Sequence, residues 1–511
     1  LNGLIPHAIK GEVTGSLEIN GKNISEFSMH DYTEQVGTVL QDTDSQFVGL
    51  SIGEDIAFAL ENQLMSNLDM YPLVKSTAKM VDLEDMLERS PHDLSGGQKQ
   101  RVSLAGILVD DVDILLFDEP LASLDPKTGK ATIEIIDQLH KETNKTIVII
   151  EHRLEDVLHR DIDRVILMEH GEIVADMTPD EILASELLDK HGIREPLYLS
   201  ALKAAKAPLT SEDKLSNLKA LDYKRFRPSV QAWFAERPAP TAEKQYQPLL
   251  EVHGLTYSYD GEKNALEDVS FKIGKGEFVS ILGKNGSGKS TITKIIMGVI
   301  DADSGSSYLN GQDLSELSIF ERSQKVGVVM QNPNHMISHH MIFDEIAFGL
   351  RNRGVAEELI KAKVENVLEL CGLSKFRHWP IEALSYGQKK RVTIASILVL
   401  EPELLILDEP TAGQDYRNYT SMLAFIQKLN RELDITVVII SHDMHLVLEY
   451  TTRSIVIADS KLIANAAMTE VFSQPSLLER ANLCTTSIYE LATMMKIDDT
   501  NAFMQYFIDY E

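Results

Sequence analysis

The chain repeats one set of short segments at a fixed distance, and one member of the set occurs only once. A glutamine after an apolar run stands at Gln41 and Gln331, and Leu-Ser-x-Gly-Gln begins at Leu94 and Leu384. An apolar run ending in Asp-Glu-Pro has its aspartate at Asp118 and Asp408, and a histidine follows a further β-branched run at His152 and His442. Each pair is separated by 290 positions. Such self-similarity makes two related domains the first expectation, ahead of the three or so that 511 residues alone would suggest. The unpaired member is Gly283-Lys284-Asn285-Gly286-Ser287-Gly288-Lys289-Ser290, which has the spacing of a phosphate-binding P-loop.

Short β-branched runs at 36–40, 112–117, 146–150 and 164–168 alternate with longer helical stretches. That alternation predicts an α/β fold with mostly parallel sheets and helices, built here as two P-loop NTPase domains in tandem. The second copy repeats the order and adds strands at 249–259, 265–273 and 278–282 ahead of its P-loop. The domain limits read from the pattern are 1–190, a connector at 191–248, 249–472, and a C-terminal helical appendage at 473–511. The connector holds six of the seventeen prolines and ten Lys/Arg against six Asp/Glu, so it reads as ordered or semi-ordered and not as a Gly/Ser spacer. The stretch 185–206 is loosely echoed by 476–496, which suggests a small helical piece closing each domain.

Asn2-Gly3 matches Met297-Gly298 at an offset of 295, implying a five-residue insertion near 5–11. On that offset the counterpart of Lys289 falls seven positions before Leu1. The first domain is therefore expected to lack its opening strands and P-loop. A P-loop strand is normally central in its sheet, so its absence predicts exposed apolar strand edges.

Composition narrows the partners. With 49 Lys+Arg against 78 Asp+Glu the formal charge is −29, which repels polyanions over most of the surface and argues against nucleic acid. A P-loop escapes this objection because local amides and one lysine hold the phosphates. Cys371 and Cys484 lack metal-ligand spacing, and no apolar run approaches the roughly 18 residues of a membrane span.

The motif residues suggest definite chemistry. The glycines let the backbone wrap phosphate oxygens, and the loop opens onto a helix N-terminus that favours anions. Lys289 would reach the β- and γ-phosphates of ATP, and Ser290 would ligate Mg²⁺. Gly283, Asn285, Gly286, Gly288 and Thr291 complete that cradle. Asp408, at the end of an apolar strand, is suited to hold Mg²⁺ through water, and Glu409 to polarise the attacking water as general base. Ser95-Gly96-Gly97-Gln98 reads as a helix-capping loop whose hydroxyl and amides could bind a γ-phosphate presented by another domain.

The ordered set of P-loop, glutamine, Leu-Ser-Gly-Gly-Gln, Asp-Glu-Pro and strand-end histidine resembles the ATP-binding cassette (ABC) ATPases. The resemblance covers nearly all of the chain apart from the connector and the C-terminal tail. It implies that Tyr259 stacks on adenine, that Gln331 links Mg²⁺ and water to the transport machinery, and that His442 contacts the γ-phosphate. It also implies head-to-tail pairing of the chain's own two domains. One site then unites Lys289, Ser290, Gln331, Asp408, Glu409 and His442 with Ser95, Gly96, Gly97 and Gln98. The reciprocal, degenerate site would use Gln41, Asp118, Glu119 and His152 with Ser385 and Gly387, where Tyr386 replaces a signature glycine. Tyr386 either crowds the phosphate approach or points away from it.

The segment Gln41-Asp42-Thr43-Asp44-Ser45-Gln46-Phe47-Val48-Gly49, continuing to Glu54-Asp55-Ile56-Ala57-Phe58, is similar to the energy-coupling-factor (ECF-type) importers of vitamins and metals. The second copy keeps Gln331-Asn332-Pro333 and Asp344-Glu345-Ile346-Ala347-Phe348, but 334–341 departs from that pattern. The tandem arrangement resembles the branch associated with thiamine-precursor (hydroxymethylpyrimidine) uptake. This implies a peripheral ATPase on the cytoplasmic face of the cell membrane, docked on a membrane-embedded coupling subunit beside a substrate-binding membrane subunit. His339-His340 could be a metal site or a solvated, partner-facing turn. Two other classes stay open: a soluble tandem ABC protein acting on ribosomes, and a nucleotide-binding module that does not hydrolyse.

Overall fold

A computed structural model describes residues 2–7, 9–41, 46–94, 96–110, 112–122, 124–143, 145–239, 245–411, 414 and 416–510. The chain forms two compact units, residues 1–163 and 164–511.

The first unit contains a parallel three-stranded sheet, β1 (Val36–Val39), β2 (Ile114–Asp118) and β3 (Thr146–Ile150), in that order. Helices α1 (Ile52–Asn62), α2 (Asn67–Met80), α3 (Gly96–Leu108) and α4 (Pro126–Thr143) surround one core. Ser51 starts α1 with a capping box: its hydroxyl accepts from the Glu54 amide, and Glu54 reaches back to the Ser51 amide. Ile52, Ile56 and Leu60 follow at helical spacing and are buried. Among the described residues β3 pairs with β2 alone, and Ile150 in β3 is 57% exposed.

The second unit opens on a hairpin, β4 (Val165–Glu169) with β5 (Glu172–Met177). The two compact units divide between residues 163 and 164. Among the described residues β4 and β5 pair only with each other. In the second copy β8 (Phe278–Leu282) follows an antiparallel pair, β6 (Pro248–Ser258) and β7 (Asn264–Gly274). It lies between the strands Thr436–Ile440 and Arg453–Ala458, the counterparts of β3 and β4.

Helices α5 (Leu197–Ala204) and α6 (Tyr223–Ala235) make the connector an ordered part of the second unit. Beyond β8 the unit continues through α7 (Lys289–Met297), β9 (Ser304–Leu309), β10 (Val326–Val329), α8 (Ile342–Asn352), α9 (Tyr386–Leu398), β11 (Leu404–Asp408), α10 (Tyr416–Leu433) and β12 (Thr436–Ile440). It closes with α11 (Met444–Tyr450), β13 (Arg453–Ala458), β14 (Lys461–Ala467), α12 (Ser487–Met494) and α13 (Thr500–Tyr510). The main sheet runs β10-β11-β12-β8-β13-β14, parallel except for β14. All five residues of β8 are buried, as a central parallel strand covered on both faces requires.

Gly3 and Gly298 both have left-handed backbones, φ +74° and +78°. Their absent Cβ atoms would fall within 3 Å of Tyr32 and Arg322, residues 290 positions apart. Equivalent packing at an offset of 295 agrees with the insertion read near 5–11.

The connector docks on the C-terminal helices. Tyr198 N–H donates to Ser487 Oγ at 3.2 Å, and Arg227 donates to the Met494 carbonyl at 3.3 Å. Trp233 sits in an aromatic nest, its ring centroid 5.7 Å from Phe503, 4.6 Å from Tyr506 and 5.5 Å from Tyr510. Arg194 pairs with Glu449 on α11 and lies over the Tyr416 ring of α10. These contacts make the connector and the C-terminal appendage one packed layer. Phe503 is fully buried, so Phe503→Ala should cost about 3–5 kcal/mol in urea unfolding. The same variant should open 191–248 to limited proteolysis, and an unchanged cleavage pattern would contradict this packing.

Candidate functional site

Strand β8 ends at Leu282, α7 begins at Lys289, and the six residues between them form the P-loop turn. The turn is possible only with glycine at two points. At Gly283 (φ +146°) a Cβ would lie 2.0 Å from the Ile457 carbonyl oxygen, and at Gly288 (φ +104°) it would lie 2.5 Å from that of Ala265. Asn285, Gly286 and Ser290 face solvent, whereas Lys289 and Thr291 are buried. Lys289 Nζ donates to the carbonyls of Gly283 at 2.7 Å and Lys284 at 3.0 Å, which holds its ammonium against the loop. Ser287 Oγ is buried within the turn and has no hydrogen-bond partner among the described residues. A lysine, an unsatisfied hydroxyl and a helix N-terminus converging on a glycine turn fit a phosphate group.

Tyr259 exposes its ring at the end of this loop, with its hydroxyl 3.2 Å from Thr291 Oγ1 and Lys294 Nζ 5.6 Å from the ring centroid. The anchored hydroxyl leaves an aromatic face available for stacking.

Strands β11 and β12 deliver the acids and the histidine to the same sheet edge. Glu409 follows Asp408 with a left-handed backbone (φ 43°), and its amide donates to the Ile440 carbonyl at 2.9 Å. The Glu409 side chain is 15% exposed, with Oε1 3.3 Å from His442 Nε2. Burial, reinforced by the adjacent Asp408 carboxylate, pushes the Glu409 carboxyl up to about 8. Burial also raises Asp408, opposed by Lys289 and then Lys390. Lys390 is fully buried, and burial pushes its ammonium down to about 8 against the pull of Asp408 and Glu409. Two acids and two lysines therefore share one poorly solvated pocket.

The first unit repeats this geometry with a different electrostatic balance. Glu119, also left-handed (φ 46°), donates its amide to the Ile150 carbonyl at 2.9 Å, just beyond Asp118. Gln41 Nε2 donates to Glu119 Oε2 at 2.5 Å, and His152 Nδ1 lies 3.7 Å from Oε1. The nearby His152 imidazole holds the Glu119 carboxyl below its usual range. Burial alone would lower His152, but the neighbouring Glu119 and Glu151 carboxylates outweigh it and raise the imidazole. Glu119 is held ionised where Glu409 is driven towards its neutral form.

Of the signature residues, Gly96, Gly97 and Gln98 form the first turn of α3, while Ser95 lies outside the described residues. Asp42, Thr43, Asp44 and Ser45 of the ECF-like segment lie outside them as well. In the second copy Ser385 caps α9, accepting from the Gln388 amide at 3.3 Å, and Gly387 packs against Gln414. The Tyr386 hydroxyl donates to the Gln331 carbonyl at 3.2 Å. His339 lies 3.4 Å from Glu345, whose carboxylate also accepts the Ser338 and His339 amides, and its ring rests on Phe348. Among the described residues no group of three His, Cys, Asp or Glu side chains could hold a metal ion. Sequence reasoning passed over Lys390 and Gln414. The signal was present in the differences between copies, where Gln100 and Leu124 occupy the equivalent positions.

Residues 4–122 and 266–412 match the ABC transporter family, and residues 185–257 match a family described as ATP-binding cassette cobalt transporter. An ABC transporter ATP-binding protein of Vibrio parahaemolyticus is 78% identical over the whole of this chain, which spans 88% of that protein. A protein of the same description from Clostridium perfringens is 50% identical, again over the whole chain and 90% of the relative. Among solved structures, cbiO1 from Clostridium perfringens, part of the ABC transporter complex cbiONQ, is 31% identical with a TM-score of 0.44, covering 50% of this chain and 100% of that one. The chain belongs to the ABC transporter family, as a tandem ATP-binding, ATP-hydrolysing subunit with the two-copy α/β fold read from its sequence. Among the described residues no helix is long and apolar enough to cross a membrane.

The P-loop makes a sharp structural demand. Gly283→Ala should destabilise the protein by about 2–3 kcal/mol and abolish ATP retention, because a Cβ there overlaps a carbonyl. Gly261→Ala, where a Cβ meets nothing within 4 Å, should cost only about 1–2 kcal/mol for its positive φ. Equal losses in thermal unfolding would refute the steric account.

Proposed function

We propose that this chain is the ATPase subunit of an ECF-type importer. In that role it couples Mg²⁺-dependent ATP hydrolysis to uptake of a small vitamin-like or metal substrate through separate membrane subunits. The match of 185–257 to an ATP-binding cassette cobalt transporter family supports a metal ion among the candidate cargoes, beside a thiamine precursor. The chain would sit peripherally on the cytoplasmic face of the membrane against a coupling subunit and a substrate-binding subunit. Its ABC ATPase domains would occupy 1–190 and 249–472, joined by 191–248 and followed by 473–511.

One observation carries the reading: Lys289, Asp408, Glu409 and His442 meet at one edge of the second unit's sheet, beside a glycine turn with an unsatisfied buried hydroxyl. Lys289 and the amides of α7 would bind the β- and γ-phosphates, with Gly283, Asn285, Gly286, Gly288 and Thr291 shaping the cradle and Tyr259 stacking on adenine. Ser290, Asp408 and Gln331 would hold Mg²⁺, which when bound neutralises charge on the transferring phosphoryl group. Glu409 would take a proton from the attacking water. A general base must be ionised; burial and Asp408 raise Glu409 to about 8, and Lys289, the His442 amide and a bound Mg²⁺ would each pull it back towards the carboxylate. His442 would contact the γ-phosphate, and its 3.3 Å approach to Glu409 sets the direction of the carboxylate.

In the family's head-to-tail arrangement, this half-site would be completed by Ser95, Gly96, Gly97 and Gln98 of the first copy. The reciprocal site, with Gln41, Asp118, Glu119, His152, Ser385 and Gly387, would be the degenerate one.

Glu409→Gln should lower phosphate release by about 10²–10⁴-fold while leaving ATP binding intact. The check is release from the membrane-assembled complex, alongside a Lys289→Ala control that should lose ATP affinity. Wild-type turnover in the Glu409→Gln protein would overturn the assignment.

A further inference from the structure

The two copies differ at a pair of buried positions that exchange hydrogen-bond partners. In the first copy Gln100, on α3, donates its amide to the Pro120 carbonyl of the Asp-Glu-Pro segment. In the second copy the equivalent Pro410 carbonyl accepts from Gln414 at 3.0 Å, a residue that replaces Leu124. Position 390 is thereby relieved of that partner, and it has become lysine. Lys390 Nζ turns the other way, donating to the Met330 carbonyl at 2.8 Å and to the Gln331 carbonyl. Four residues earlier on α9, one helical turn away, the Tyr386 hydroxyl donates to the same Gln331 carbonyl.

A fully buried ammonium is costly unless acceptors surround it, so this bond pattern is a demanding one. Two donors from one helix, one of them charged, fix the peptide plane at 331. That plane sets where the Gln331 side chain leaves the backbone. The side chain itself is exposed.

We propose that Lys390 and Tyr386 form a two-point clamp that positions Gln331 for hydrolysis and ties its loop to the signature helix of the same domain. The tyrosine that interrupts the second signature thus serves as a strut for the catalytic site of its own domain. Lys390 is a positioning residue, acting through Gln331. The proposal rests on the role given to Gln331 above.

The test uses Lys390→Gln, which installs the first copy's residue, together with Lys390→Arg and Tyr386→Phe. Amide exchange across 330–337 is read in the protein without nucleotide, and kcat and KM for ATP in the assembled transporter. Loss of a charged hydrogen bond should speed exchange in Lys390→Gln by about tenfold. The same variant should lower kcat by about tenfold with KM for ATP within about twofold. Lys390→Arg should restore both readouts, and Tyr386→Phe should show a smaller change of the same kind. Exchange in Lys390→Gln and Tyr386→Phe within about twofold of wild type would overturn the clamp. Faster exchange with unchanged kcat would overturn positioning. If the wild-type assembly hydrolyses no ATP, the role given to Gln331 fails separately, and exchange alone still decides whether the clamp exists.

Discussion

Strand β8 is the constraint on which the second unit depends. Its five residues are buried, and it pairs in parallel with β12 on one side and β13 on the other. Parallel strands all point their C-terminal ends to one edge of the sheet, so the turn after β8, the acids after β11 and the histidine after β12 arrive together without long loops. The strand that closes the core is also the strand that presents the P-loop. Ser280, the only polar residue in the run, is accommodated because its hydroxyl meets those of Ser454 and Thr451.

The two copies show what environment does to the same motif. Both glutamates adopt the left-handed backbone and donate an amide to the strand before the histidine. Glu119 keeps Gln41 and His152 as partners and stays ionised. Glu409 is enclosed beside Asp408 and two lysines, and its proton affinity rises. Perturbation of this size, in a pocket that also carries a phosphate-binding turn, is characteristic of functional sites. The divergence at 390 and 414 belongs to the same specialisation, since it moves a buried cation next to the acids.

Much of this was legible in the sequence, and the reasons are local. Strands 146–150 and 278–282 were read at their observed limits because unbroken β-branched and apolar runs of that length have few other uses. The division into compact units between 163 and 164 is not visible in motif spacing, because contacts between elements and not the order of motifs decide it. Motif spacing found Lys289, at a helix start, and Asp408, Glu409 and His442, at or just beyond strand ends, where sequence position fixes spatial position. It did not find Lys390, Gln414 or the Trp233 nest. Their meaning lies in which way a side chain turns between packed helices, and in a sequence they look like ordinary members of amphipathic stretches.

The central claim is that nucleotide binds on the second copy, at the turn that follows β8. Photolabelling with an azido-adenine analogue of ATP, followed by peptide mapping, tests it directly. The account predicts an adduct on the peptide carrying Tyr259, lost in Lys289→Ala. An adduct confined to residues 1–163, or one that persists undiminished in Lys289→Ala, would contradict it.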